Sequence, residues 1–121
     1  MGAAALRRLG KGRIPELLEI KMSPFLLARL IYQLSDKEFA ALSDQKVKSL
    51  LHSDNDRVRK MTALKCIRAY TKARLKRTLD DYMSGDQQRY YNVIHWLDMG
   101  VSAPKPLLSR AVAKTIAKMW E

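Results

Sequence analysis

Cysteine occurs once in the 121 residues, at Cys66. A lone thiol cannot close an internal bridge, which excludes a small secreted fold held by disulfides. Long apolar runs are missing too. The longest, around Phe25 to Leu34, is broken by Arg29 and Gln33 and falls far short of the ~20 residues that cross a bilayer. β-Branched residues are thinly spread and no stretch alternates with period two, so strands are not predicted. Acidic residues are scarce: 12 Asp and Glu stand against 23 Lys and Arg, a net charge of +11. An excess of that size favours nucleic acid, an acidic protein or an anionic surface as partner.

Catalytic patterns are equally thin. Gly10-Lys11-Gly12 is an isolated turn and not a phosphate loop. His52 and His95 lie 43 residues apart, with no Cys or acid at ligand spacing, so no metal or other cofactor is expected. His95, beside Trp96, reads as a partly buried histidine. No Ser-His-Asp or Cys-His arrangement supports a nucleophile. Cys66 falls among apolar neighbours and reads as a buried structural thiol. The chain is therefore expected not to be an enzyme.

What remains is helix. At 47% hydrophobic and 29% charged, residues 1–121 suit one packed domain. Helix-starting and helix-ending residues recur along it. Gly10 and Gly12 close a segment at 3–9, and Pro15 opens a helix at about 14–21. Ser23-Pro24 starts a helix reaching about Leu34. Ser35-Asp36 begins a short one with Phe39 and Leu42, and Ser43-Asp44 caps another through Leu50 and Leu51. Ser53-Asp54-Asn55-Asp56 is a dense cap for a long helix over 56–72. A helix at 74–83 ends at Ser84-Gly85, and Asp86 caps one that Gly100 terminates after Met99. Pro104 and Pro106 admit a last helix to about Trp120. Residues 1–15 hold Arg7, Arg8, Lys11 and Arg13 and no acid, as mitochondrial presequences do. The preferred reading is a first helix and a cytoplasmic protein, with the mitochondrial matrix as alternative.

Ser23, Ser53 and Ser84 stand 30 and 31 residues apart, each between two apolar helices. A period of that length built from helix pairs predicts an α-solenoid, whose units bury their apolar faces only against neighbours. Within it, the stretch from Leu50-Leu51 through Ser53-Asp54-Asn55-Asp56 to Val58-Arg59 and Ala63 resembles a HEAT repeat: a Leu-rich helix, a short Asp/Asn turn, then Val-Arg opening a second helix with small residues inside. The motif is clear only over 50–68; the other two units lack the Val-Arg pair. The expected fold is all-α, a short HEAT-like solenoid of about three helix pairs, with a compact multi-helix bundle as the alternative.

Between Arg57 and Arg77 lie nine basic residues and no acid. With Arg57 at zero on a helical wheel, Arg68, Lys72 and Lys65 fall at roughly 20°, 60° and 80°, and Lys60 at roughly −60°. The opposite arc holds small and apolar residues, so a basic face is predicted. Arg59 falls inside the packing arc. In HEAT-like repeats an Arg there commonly pairs with a turn acid, here Asp54 or Asp56. Arg74, Lys76 and Arg77 then crowd the start of the next helix, where the dipole disfavours cations and a bound anion would favour them.

The function expected from this pattern is non-catalytic binding of a polyanion, with nucleic-acid backbone favoured, through Arg57, Lys60, Lys65, Arg68, Lys72, Arg74, Lys76 and Arg77. The competing class is a protein scaffold binding an acidic partner, or a subunit of a larger ribonucleoprotein. Tyr70, Tyr82, Tyr90, Tyr91, Trp96 and Trp120 are expected to pack and not to stack on bases. HEAT-like DNA glycosylases also carry a tryptophan near an acid. Here Trp96 and Asp98 point opposite ways on a helix, at roughly 200° apart.

Overall fold

The computed structural model describes residues 21–120, and those residues form seven α-helices and a closing 3₁₀ turn with no strand among them. The helices predicted at 3–9 and 14–21, and the presequence-like segment at 1–15, lie outside the described residues.

Helix starts fall where the side chains promised caps. Helix α1 (Pro24–Gln33) has Pro24 in its first turn, and Ser23 Oγ accepts from the Leu26 N–H at 3.3 Å. Helix α2 (Asp36–Ala40) opens with a reciprocal box between Ser35 and Glu38 at 2.9 and 3.1 Å, which satisfies two orphan donors at once. Ser43 caps α3 (Asp44–Leu51). Asn55 caps α4 (Asp56–Ala69), accepting from the N–H groups of Arg57 and Val58 at 3.0 and 3.2 Å. Thr71 caps α5 (Lys72–Met83). Asp86 caps α6 (Gln87–Ser102), and Ser109 caps α7 (Arg110–Ala117), which passes into the 3₁₀ turn Lys118–Trp120.

Three boundaries differ from the sequence reading, one of them the start of α7, which opens at Arg110 after Ser109 and not at Pro104 or Pro106. The long central helix stops at Ala69, not at residue 72, because Tyr70 turns extended (ψ 152°) and Thr71 starts a new helix. Lys72 and Ala73 thereby leave the face assigned to them. Gly100 does not end its helix. The helix runs on to Ser102, and Gly100 is buried where a Cβ would stand 2.9 Å from Leu64 Cδ2 and 3.1 Å from Leu108 Cδ1. Its role is close approach. Helix α5 ends at Ser84-Gly85 as predicted, and it leaves through left-handed backbone, with φ +44° at Ser84 and +77° at Gly85.

Packing is organised around α4. It meets α1, α2, α3 and α6; α5 meets α3 and α6; α7 meets α6. Thus α4 joins α1 to α6, and α3 and α5 touch each other as well as α4 and α6 respectively. The core between them holds Leu30, Ile31, Phe39, Val47, Val58 and Leu79, each no more than 1% exposed. Phe39 lies against Tyr70 (centroids 5.7 Å), and Tyr82 sits between His52 and Trp96, both at 5.5 Å.

The C-terminal turn is tied back to α5 through Asp80. Its carboxylate accepts from Trp120 Nε1 and from Lys76 Nζ, both at 2.7 Å. Burial alone would raise the Asp80 pKa, but the two hydrogen bonds hold it below the ordinary 3.8. A depressed carboxyl contributes stability that is complete above its ordinary pKa and lost as the pH falls through the lowered one. The melting temperatures of the native protein and of Asp80→Asn are therefore expected to differ at neutral pH and to converge as the pH falls below about 4. A gap that stays constant down to about pH 2 would show that the tie does not depend on the ionised form.

Candidate nucleic-acid interface

The eight cations marked from the sequence do not form one surface. Lys65 is buried, 6% exposed. Its ammonium donates to the Leu34 carbonyl at 2.5 Å and lies 5.8 Å from the Tyr32 ring. It stands at the C-terminal end of α1, where the helix dipole favours a cation. Its assignment to an exposed basic face is corrected: the wheel angle was right, but α1 covers that edge of α4.

Arg74 is corrected too. Its guanidinium donates to the carbonyls of Ala40 and Leu42 at 2.8 and 3.3 Å and to Asp44 Oδ1 at 2.9 Å, and it stacks on the Tyr70 ring at 3.9 Å. A cation in the first turn of α5 is thus explained by the α2–α3 turn that it clamps, and no anion is needed to account for it. Arg59 is held by the Ser53 carbonyl at 2.7 Å and by Asp56 at 3.2 Å, a pairing with one of the two turn acids named for it.

Arg68 is half exposed and bridges to Asp36 at 3.3 Å. Lys76 bridges to Asp80 within its own helix at 2.7 Å. Such pairs on the surface are worth little, so both side chains keep access to solvent. Lys72 is exposed at the first position of α5. Arg77 faces a separate depression between α3 and α5, beside Asp44, Asp81 and Lys48.

Arg57 and Lys60 lie together. They line a groove of about 380 Å³ between α1 and α4, with Met61 beside them and Phe25, Ala28, Arg29, Tyr32 and Gln33 opposite. Phe25 and Tyr32 are 56% and 46% exposed. Two guanidiniums stand near the Phe25 ring, Arg29 at 5.8 Å and Arg57 at 5.7 Å from its centre, within the range of cation–π attraction. Gln33 Oε1 is buried and has no hydrogen-bond partner among the described residues.

Phe25, Arg29 and Tyr32 were not among the residues singled out from the sequence. Their spacing of four and three residues places them on one stripe of a helix, away from Leu30, Ile31 and Leu34, which face the core. The signal was present, but an apolar run with one Arg reads first as core.

The remaining chemistry points to packing. Tyr70, Tyr82 and Trp96 are buried as expected, whereas Tyr91 is 56% exposed and His95 is exposed. Trp96 is buried and Asp98 exposed, so the two share no pocket. Burial pushes the Cys66 thiol far above its ordinary range, although the Arg74 charge opposes the rise. Such a thiol is not a nucleophile. Burial likewise raises the Tyr70 hydroxyl. Among the described residues no three His, Cys, Asp or Glu side chains are grouped to hold a metal ion, and no helix is long and apolar enough to cross a membrane.

Comparison with known proteins adds no relative: no protein-family model matches the chain, and no curated protein and no solved structure matches it either.

Proposed function

We propose that the protein is a non-catalytic module that binds the phosphate backbone of nucleic acid along the seam between α1 and α4. One observation carries the reading. Arg29, Arg57 and Lys60 converge on a groove that no acid lines, and none of the three has an ion-pair partner among the described residues. Unpaired cations held this close repel one another, and a row of phosphates relieves the repulsion while releasing its own counterions. Arg68, further along α4, extends the same track, because its surface bridge to Asp36 is exchangeable. Lys72, Lys76 and Arg77 lie on α5 and add to the overall field more than to this groove.

The architecture proposed is a short HEAT-like solenoid. Support comes from the pairing order: α3 with α4 and α5 with α6 form successive pairs, the contacts α1–α4–α6 and α3–α5 read as two rows, and the caps that open α1, α4 and α6, Ser23, Asn55 and Asp86, stand 32 and 31 residues apart. In this frame the groove separates neighbouring helices of one row, a surface that such stacks commonly present to ligands.

The test is binding of the whole protein to labelled RNA and DNA across a salt series. Three phosphate contacts predict a slope of log affinity on log salt of roughly −2 to −3. The double reversal Arg57→Glu with Lys60→Glu is expected to lower affinity about 100-fold or more at low salt and to flatten the slope by roughly 1.5 to 2. Its helical circular dichroism should not change, since Arg57 is exposed, Lys60 is only half-buried and neither belongs to the core. Absence of salt-dependent binding to every polymer would overturn the reading in favour of an acidic protein partner.

A further inference from the structure

Resting on that reading, we infer that the groove is built for single-stranded nucleic acid and seats an unpaired base on the exposed rings of Phe25 and Tyr32.

Backbone binding alone needs cations and gains nothing from bare aromatic rings. Phe39, Tyr70, Tyr82 and Trp96 are all inside the core, yet Phe25 and Tyr32 stand about half exposed in the one groove where Arg29, Arg57 and Lys60 meet. A half-exposed phenyl forgoes the gain from burial. Here Arg29 and Arg57 stand 5.8 and 5.7 Å from its centre, so a base laid on the exposed part of Phe25 brings its own phosphates beside both. Tyr32 lies two turns of α1 beyond Phe25, its ring 5.8 Å from the buried Lys65 ammonium.

Alternating π-faces and cations along one track is the arrangement that grips a strand through its bases and backbone together. A duplex offers no base face to such rings, because each base is already stacked on its neighbours. The third element is Gln33. Its side-chain oxygen has no hydrogen-bond partner among the described residues, and the desolvation cost of that unmade bond is relieved by an incoming donor. The exocyclic amine or ring N–H of a base supplies one, and Gln33 lines the same groove as the two rings.

The experiment compares single-stranded RNA, single-stranded DNA, their duplexes and an abasic single strand of equal length. The proteins are the native chain, Phe25→Ala, Tyr32→Ala and Gln33→Ala, each checked by circular dichroism. The native chain is expected to bind one or both single strands at least tenfold more tightly than duplex and about tenfold more tightly than the abasic strand. Phe25→Ala and Tyr32→Ala should each lose about tenfold on the single strand. Duplex binding and the salt slope should stay unchanged, because no phosphate contact is removed. Gln33→Ala should weaken some bases more than others.

Equal binding of duplex and single strand, or of abasic and intact strand, with the steep salt slope kept, would overturn the base seat and leave the backbone reading standing. Loss of salt-dependent binding to every polymer would remove both. The abasic comparison uses only the native protein, so it decides the matter even if an alanine variant fails to fold.

Discussion

Val58→Asp is expected to unfold the protein at neutral pH. Val58 is 1% exposed in the first turn of α4, the helix on which α1, α2, α3 and α6 all pack. Losing the buried side chain alone forfeits about 1.5–3 kcal/mol. Placing a carboxylate there without a partner adds several kcal/mol more, against a total stability of about 5–15 kcal/mol for a domain of this kind. The measurement is far-UV circular dichroism with a thermal melt, with Val58→Ala as companion. That variant leaves only a void and should stay folded with a lowered melting temperature. A cooperative melt for Val58→Asp close to that of the native chain would mean that α4 does not pack as described.

Arg74→Ala is expected to be the most damaging change among the nine cations between Arg57 and Arg77. The side chain is only 25% exposed and closes the α2–α3 turn through two carbonyls and Asp44. Hydrogen bonds to a charged group contribute about 1.5–3 kcal/mol each, and orphaned carbonyls add their own desolvation cost. The exposed Asp44 regains water, which reduces the loss. A net destabilisation of about 2–4 kcal/mol is expected, or a fall in melting temperature of roughly 10–20 °C. The same variant should leave the salt slope of nucleic-acid binding unchanged, while Arg57→Glu with Lys60→Glu does the reverse. An Arg74→Ala protein that melts normally and binds poorly would return Arg74 to the ligand surface.

These two residues show where local pattern and packing part company. Arg74 was legible as anomalous, because a cation in the first turn of a helix opposes the dipole. Its explanation lies 30 to 34 residues earlier, at Ala40, Leu42 and Asp44. Lys65 fell on the basic arc of α4 as calculated, but the partner that buries it, Leu34, is 31 residues away. Tyr70-Thr71 shows a different gap. Without Gly or Pro a helix reads through, and only the burial of Tyr70 against Phe39 and the threonine cap mark the break. Gly100 is the converse, a helix-ending residue retained inside a helix because Leu64 and Leu108 leave no room for a Cβ.

Caps and apolar spacing depend on residues close in sequence, and by themselves they determined the all-helical class, most helix starts and the buried Cys66, while the tie of Arg59 to its own turn was implied by the resemblance to a HEAT repeat. The burial of one cation, the clamping of another and the meeting of Phe25 and Arg29 with Arg57 and Lys60 were decided only in the tertiary structure. A helical wheel says which side of a helix a charge occupies, but not which neighbouring helix covers that side. That follows from how α1 and α4 lie together, a relation between residues about 30 positions apart that no local pattern encodes.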